Sequence, residues 1–379
     1  MSLARAVTVA DLRLIARRRL PRAVFDYIDG GADDEGTLRA NMADFDSVML
    51  KQRVLAQVGA TRLGTTILGS AAAAPLMIAP TGLPNLAWPD ADLILAREAA
   101  AAGIPLVLSS YSGSTLEESA SVGSGRRWFQ LYVFKDRSIS EGLVRRAQAA
   151  GYEALVVTVD VPVVGKRRRD VRSGFTVPLT LTPASMLDFA LHPRWCLDLL
   201  RHGVPRMRNF AGAAGARPST HAALVNSQLD PALSWDIIPW LRGCWKGPLL
   251  IKGILTRDDA AEAMARGADG IIISNHGGRQ LDGVPSSIRA LEQIAPRVGP
   301  DVPLFLDGGV RRGSDVVRAV ALGAKAVLIG RPTLYAAAAG GADGVRRCLQ
   351  ILFEDMHRTL AHIGRSSMAD VDADCLERW

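Results

Sequence analysis

From residue 75 onward, short apolar runs recur along the chain, separated by alanine-rich stretches of mixed polarity. The runs occupy 76–80, 104–110, 128–133, 155–160, 249–253, 271–276, 304–309 and 326–332. Each is too short for an independent helix and rich in β-branched or aromatic residues, which reads as a strand buried on both faces. Between them, 92–102, 140–150, 257–266 and 314–322 have helical composition. Strand–helix alternation predicts a parallel sheet with helices outside it, and eight such units predict an α/β fold of the closed (β/α)8 type, a TIM barrel, with its core over 75–335. Upstream, 9–45 predicts a helical cap, with Pro21 opening the second helix at its first turn. The whole of 1–379 then reads as a single domain.

One interval breaks the rhythm. Residues 161–248 separate the fourth run from the fifth, far more than a βα unit needs, so a segment is inserted there, placed at 176–220. It combines Met186, Leu187, Phe189, Leu191, Trp195, Leu197, Leu199 and Leu200 with Arg194, Arg201, Arg206 and Arg208. Apolar anchors with a basic fringe suit a segment lying in the interface of an anionic membrane. The segment is too short and too charged to cross, and its residues 178–216 are expected to bind the membrane surface and to be dispensable for chemistry. The plainer alternative is a soluble lid loop.

Composition narrows the classes. Apolar residues make up 48% of the 379, enough for a sizeable core, and no apolar run reaches the length of a transmembrane helix. A net charge of +7 suits anionic substrates or lipids. Nucleic acid is disfavoured, because no basic patch is interleaved with aromatics. The four cysteines have neither metal-ligand nor disulfide-framework spacing and read as reduced, cytoplasmic thiols, and no metal site is expected. The N-terminus lacks a signal core, since Arg13, Arg17, Arg18 and Arg19 interrupt it.

The chemistry gathers where the predicted strands end. Polar or ionisable residues stand at Ser109, Gln130, Tyr132, Thr158, Asp160, Lys252, His276, Asp307 and Arg331. Strand C-termini are where such barrels place their active sites. The sixth run leads into Ser274-Asn275-His276-Gly277-Gly278-Arg279-Gln280-Leu281-Asp282, which offers a titratable imidazole, a fixed cation able to grip a carboxylate, and a carboxylate of its own. The seventh and eighth runs end in Asp307-Gly308-Gly309-Val310-Arg311 and Gly330-Arg331. Glycine backbone beside arginine on those two strands suits a phosphate group.

The stretch 274–282 resembles the signature of the FMN-dependent 2-hydroxy acid dehydrogenases and oxidases. The likeness extends from about residue 8 to about 375 through Pro80-Thr81-Gly82, Leu108-Ser109-Ser110, Gln130-Leu131-Tyr132, Thr158-Val159-Asp160 and Val164-Gly165-Lys166-Arg167. The resemblance implies FMN as cofactor. It places Pro80, Thr81, Gly82, Ser109, Gln130 and Thr158 around the flavin ring. It puts Lys252 by the ring nitrogen that becomes anionic on reduction, and counts Ser274 among the cofactor-binding residues. It assigns Asp307, Gly308, Gly309, Arg311, Gly330 and Arg331 to the ribityl phosphate. Tyr27, Tyr132, Arg167 and Arg279 would bind the substrate carboxylate and hydroxyl, with His276 as the base and Asp160 as its partner. Residues 80–83, Trp88-Pro89, 191–195 and 201–203 match most closely the branch that oxidises mandelate. That branch implies an (S)-2-hydroxy acid substrate, a membrane-binding insertion, a quinone acceptor, attachment to the cytoplasmic face of the inner membrane and a homotetramer. Gly82 leaves room by the ring for an aromatic acid, whereas Tyr111 stands where relatives vary and faces the substrate side chain. Phe25 replaces a tyrosine common among relatives. The alternatives are a cytoplasmic lactate or glycolate oxidase of the same family and, remotely, a non-catalytic barrel that binds a phosphorylated ligand.

Overall fold

Alternation along eight short strands decides both the core and the mouth of this protein. In a computed structural model, which describes residues 2–175, 183–210 and 228–377, a short antiparallel pair, β1 (Thr65–Ile67) and β2 (Ser70–Ala72), precedes the barrel. The barrel strands are β3 (Leu76–Ile78), β4 (Leu106–Ser109), β5 (Arg127–Leu131), β6 (Ala154–Thr158), β7 (Leu249–Ile254), β8 (Gly270–Ile273), β9 (Leu304–Asp307) and β10 (Ala326–Ile329). They pair in parallel, and β10 returns to β3 to close the ring, so all eight predicted strands form the predicted barrel.

Side chains on a strand alternate faces, and those pointing inward fill the barrel. Met77, Val107, Trp128, Val156, Leu250, Ile272, Phe305 and Leu328 make that inner cluster, with Ile67 and Ala72 of the antiparallel pair packed into it. Trp128 meets Phe305 edge to face at 5.4 Å. Two residues further along, the same alternation points Ser109, Gln130, Thr158, Lys252, Ser274 and Asp307 the same way, at the C-terminal mouth. Polar residues there follow apolar ones one layer down, and this places the site.

The expected helical cap is present as α1 (Val9–Arg19), α2 (Arg22–Asp29) and α3 (Gly36–Ser47). Thr8 and Asp11 form a reciprocal capping box at the start of α1. Pro21 precedes the first turn of α2 as its N-cap rather than lying inside it. Past β10 the helical run Arg331–His362 carries the chain well beyond 335 and breaks at Gly340 and Gly341, where φ of Gly341 is +58°. Its Tyr335 and Arg13 of α1 converge on the buried Asp29, at 2.7 and 2.5 Å, tying three helices through one carboxylate.

The stretch 274–282 also fastens the cap. Asn275 and Asn41 exchange two amide hydrogen bonds of 2.8 Å in a buried reciprocal pair. The Asp282 carboxylate accepts from the backbone N–H groups of Gly36 (3.1 Å) and Thr37 (2.7 Å). Asp282, which from sequence offered a carboxylate for chemistry, instead caps the N-terminus of α3 from across the fold.

Of the expected insertion 176–220, residues 176–182 and 211–220 lie outside the described residues. The rest contains α4 (Pro183–Ala190) and α5 (Pro193–His202). Trp195 is buried and donates to the Leu86 carbonyl at 2.9 Å, and Asp198 pairs with Arg19 of α1 at 2.6 Å. Among the described residues, no helix is long and apolar enough to cross a membrane.

Asn41→Ala should strand the Asn275 amide in a buried position and cost about 1–3 kcal/mol. Urea unfolding of both single variants and the Asn41→Ala/Asn275→Ala pair checks this. Loss of the second partner should add little, and strictly additive losses would show that the two amides do not act as a unit.

Candidate active site

The C-terminal mouth opens into a cavity of about 610 Å³, within the range that holds a sizeable organic ligand. Pro80, Thr81, Gly82, Gln130, Thr158, Lys252, Asp307, Gly308, Gly309, Arg311, Gly330 and Arg331 line it, as do Tyr27, Tyr132, Arg167, His276 and Arg279. Ser109, Ser274 and Asp160 do not. Ser109 donates to Gln130 Oε1 at 3.0 Å and so orients the amide that does reach the cavity. Ser274 Oγ accepts from Lys252 Nζ at 2.8 Å and from the His276 backbone N–H at 3.0 Å, and donates to Asp307 at 2.5 Å. Both serines, expected at the cofactor, stand behind the residues that face it.

Lys252 is the buried cation at the centre. Its ammonium lies 2.9 Å from Asp307. Burial opposes its charge, but Asp307 and Asp160 outweigh burial, so its pKa rises and it stays protonated. Beyond it, His276 Nδ1 lies 2.9 Å from Asp160 Oδ1. Burial pushes the Asp160 carboxyl up, but His276 and then Lys252 pull it below its usual value. An ionised Asp160 requires the proton on Nδ1, which leaves Nε2 with its lone pair towards the cavity. There it faces the Tyr132 hydroxyl at 3.5 Å. Burial holds the Tyr132 pKa well above its usual value, so the phenol remains a hydrogen-bond donor.

Backbone geometry sets these distances. His276 has φ of +57°, a left-handed conformation uncommon for a residue with a side chain. The β7–β8 ladder slips between Lys252 and Ile254, and the intervening Gly253 has φ of +108°. A Cβ at Gly253 would come within 2.6 Å of the Asp160 Cβ and 2.8 Å of its Cγ. The bulge therefore brings β7 against Asp160 while turning Lys252 inward.

Anion-binding capacity lies on both sides. Arg279 is half-buried at the cavity wall, and its desolvation together with Arg167 and Arg331 lowers its pKa to about 9, still a cation at neutral pH. One terminal nitrogen donates to the carbonyls of Tyr27 (2.7 Å) and Gly30 (2.9 Å), while its other N–H groups have no hydrogen bond among the described residues. Arg331, expected to serve the phosphate, spends its guanidinium on the carbonyls of Ile28, Gly30 and Gly277. What remains at that end is the start of the Arg331–His362 helical run, the Gly308-Gly309 backbone and Arg311. A helix N-terminus beside glycine backbone is a ready anion site.

The residues fit a flavin nucleotide on a specific observation. Gln130 Nε2 and Thr158 Oγ1 are buried at the cavity yet have no hydrogen-bond partner. Orphaned polar atoms on one wall call for a polar, flat partner.

Several lining residues carried no sequence signal for this role. Phe175 stacks on Tyr27 at 4.4 Å, and Asp170 pairs with Arg167 at 2.9 Å. Met207 and Leu229 come from within and just beyond the insertion. Tyr111 does face the cavity, stacked on Tyr132 at 4.6 Å. Gly253 was legible only as a strand end. A glycine after the lysine was a visible cue, but its meaning depends on Asp160, which lies nearly a hundred residues earlier.

Comparison with known proteins follows the same line. The family profile described as FMN-dependent dehydrogenase matches residues 16–378. The chain is 44% identical over 369 residues to (S)-mandelate dehydrogenase of Pseudomonas putida, covering 97% of this chain and 93% of that protein. It is 43% identical to L-lactate dehydrogenase of Pectobacterium atrosepticum, covering 97% and 95%. The crystal structure of the monotopic membrane protein (S)-mandelate dehydrogenase superposes with a TM-score of 0.96 at 43% identity, covering 99% of this chain and all of that one.

Gly253→Ala should force β7 and Asp160 apart at a cost of about 1–3 kcal/mol, as other overpacked sites do. In a cycle with Asp160→Ala, the two losses of turnover should be strongly non-additive. Fully additive losses would show that Gly253 acts on something other than Asp160.

Proposed function

The chain belongs to the FMN-dependent dehydrogenases that oxidise 2-hydroxy acids, and we propose that its own substrate is an aromatic (S)-2-hydroxy acid, (S)-mandelate, and its acceptor a membrane quinone. The observation that carries the aromatic reading is the wall beside the arginines. There Tyr27, Phe175, Tyr111, Met207, Leu229 and three valines leave an apolar space next to Arg279 and His276. The likeness to mandelate dehydrogenase over nearly the full length supports it.

When bound, FMN accepts the two electrons of the oxidation. Gln130, Thr158 and the backbone of 80–82 would hold its ring, and Lys252 would place a cation beside it. Gly308, Gly309, Arg311, Gly330 and the backbone of Arg331 would hold its phosphate, with Asp307 at the ribityl chain. Arg279 and Arg167 bind the substrate carboxylate, and Tyr132 donates to the substrate hydroxyl. Tyr27 closes the same wall. His276 Nε2 takes a proton from the substrate, and Asp160 stabilises the imidazolium that results.

The membrane reading rests on the surface of α4 and α5. Met186, Leu187, Leu191 and Leu200 are exposed, Leu200 by 82% and Leu191 by 72%, and Arg194 and Arg201 of the same pair of helices are exposed too. Exposed leucines with flanking arginines suit an anionic lipid interface, here the cytoplasmic face of the inner membrane. The relative that is a monotopic membrane protein supports this, and the homotetramer implied by the sequence resemblance is tested by sedimentation.

Anaerobic mixing with (S)-mandelate, lactate and glycolate tests the substrate. The yellow protein should bleach fastest with mandelate, and bleaching by lactate or glycolate alone would favour the small-acid reading. His276→Ala should keep its colour yet reduce about 10²–10⁴-fold more slowly. Retention of the wild-type rate would remove His276 from the base role.

With anionic vesicles at low salt, the protein should sediment, and salt should release it, since each basic residue near such a surface contributes about 1 kcal/mol. Protein that stays in the supernatant would refute the membrane reading.

A further inference from the structure

We propose that Met207 is a specificity-determining residue: the end of the inserted segment docks onto the barrel and packs Met207 against the side chain of an aromatic substrate. This rests on the oxidation of an aryl 2-hydroxy acid proposed above.

The inserted segment has two unlike parts. The α4–α5 part is held mainly through Trp195, Asp188 and Asp198, and turns leucines outward. The part that follows, 207–210, does the opposite. Asn209 and Phe210 are each only 4% exposed. Asn209 Oδ1 accepts from the Leu116 N–H at 3.0 Å, capping the first turn of the helix Leu116–Ser121, and its Nδ2 donates to the Ser114 carbonyl at 3.4 Å. Arg146 donates to the Asn209 carbonyl at 2.9 Å. The Arg208 N–H donates to the Ser112 carbonyl at 3.2 Å, and its guanidinium pairs with Glu118 at 2.7 Å. Phe210 packs on Phe134 at 5.5 Å and on Tyr111 at 6.1 Å.

This foot clamps the loop that follows β4, which carries Tyr111. Tyr111 in turn stacks on Tyr132, whose hydroxyl faces His276. Met207 lines the cavity from that foot. Its neighbours Arg208 and Phe210 bind the Ser112 carbonyl and pack on Tyr111, so Met207 stands at the Tyr111 side of the cavity rather than at the phosphate end. A surface anchor alone would have no need of a buried asparagine, hydrogen-bonded through both ends of its amide, two residues from a cavity-lining side chain. A thioether is flexible and polarisable, and sulfur against a ring edge is favourable, so Met207 suits an aryl group. The segment thus carries two separable functions, and replacing all of 178–216 by a linker would remove a wall of the site.

The experiment compares wild type, Met207→Ala and Leu187→Glu/Leu191→Glu in anaerobic reduction by (S)-mandelate and by (S)-lactate. For Met207→Ala the ratio of kcat/KM for mandelate over lactate should fall about tenfold or more, the scale set by losing a few apolar atoms from a pocket. The Leu187→Glu/Leu191→Glu variant should leave that ratio unchanged while losing vesicle binding. An unchanged ratio in Met207→Ala would overturn the proposal. If wild type reduces with neither acid, the aryl-acid reading falls by itself. Met207 is then judged by a non-reacting pair, phenylacetate against acetate, titrated through the flavin spectrum. A preference for phenylacetate that drops in Met207→Ala sustains the assignment, and one that does not drop overturns it.

Discussion

A buried ammonium has to be balanced, and the mouth of this barrel is built around that requirement. Lys252 is almost fully enclosed, and an uncompensated charge there would cost several kcal/mol. Asp307 supplies the close partner and Ser274 a third contact. Asp160 supplies the second negative charge, and because it also binds His276, the cation and the imidazole share one carboxylate. The bulge at Gly253 makes this sharing geometrically possible, since any side chain there would collide with Asp160. Electrostatic balance and backbone shape thus act on the same few atoms.

The same economy appears in the stretch 274–282. Its histidine and arginine face the cavity, while Asn275 and Asp282 secure the N-terminal cap. Arg279 and Arg331 likewise spend hydrogen bonds on carbonyls of the turn after α2. The cap is therefore no independent lid. It carries Tyr27 and is fixed by the residues that follow β8, so cap position and arginine position are coupled.

The inserted segment joins two surfaces with opposite demands. Exposed leucines on α4 and α5 suit the proposed lipid interface, whereas Asn209 and Phe210 are packed as tightly as core residues. An aromatic reading of the site and a membrane reading of the surface converge on one stretch of chain.

The eight strands, the insertion and most of the cavity-lining residues were legible in the sequence, because period-two burial and polar strand ends are local signals. So were His276, Lys252 and the glycine–arginine runs, whose chemistry is visible in their residue types. Asp282 and Ser274 looked equally chemical, yet their positions commit them to α3 and to Lys252. Met207, Phe175 and Gly253 looked ordinary, yet closure of the barrel brings them to the cavity or against Asp160. Sequence by itself determined the repeating unit and the inventory of reactive groups. Tertiary structure decided which groups face the cavity and which are held behind it. The physical reason is that a side chain's role depends on partners distant in the chain, and only closing the ring brings them within hydrogen-bond reach.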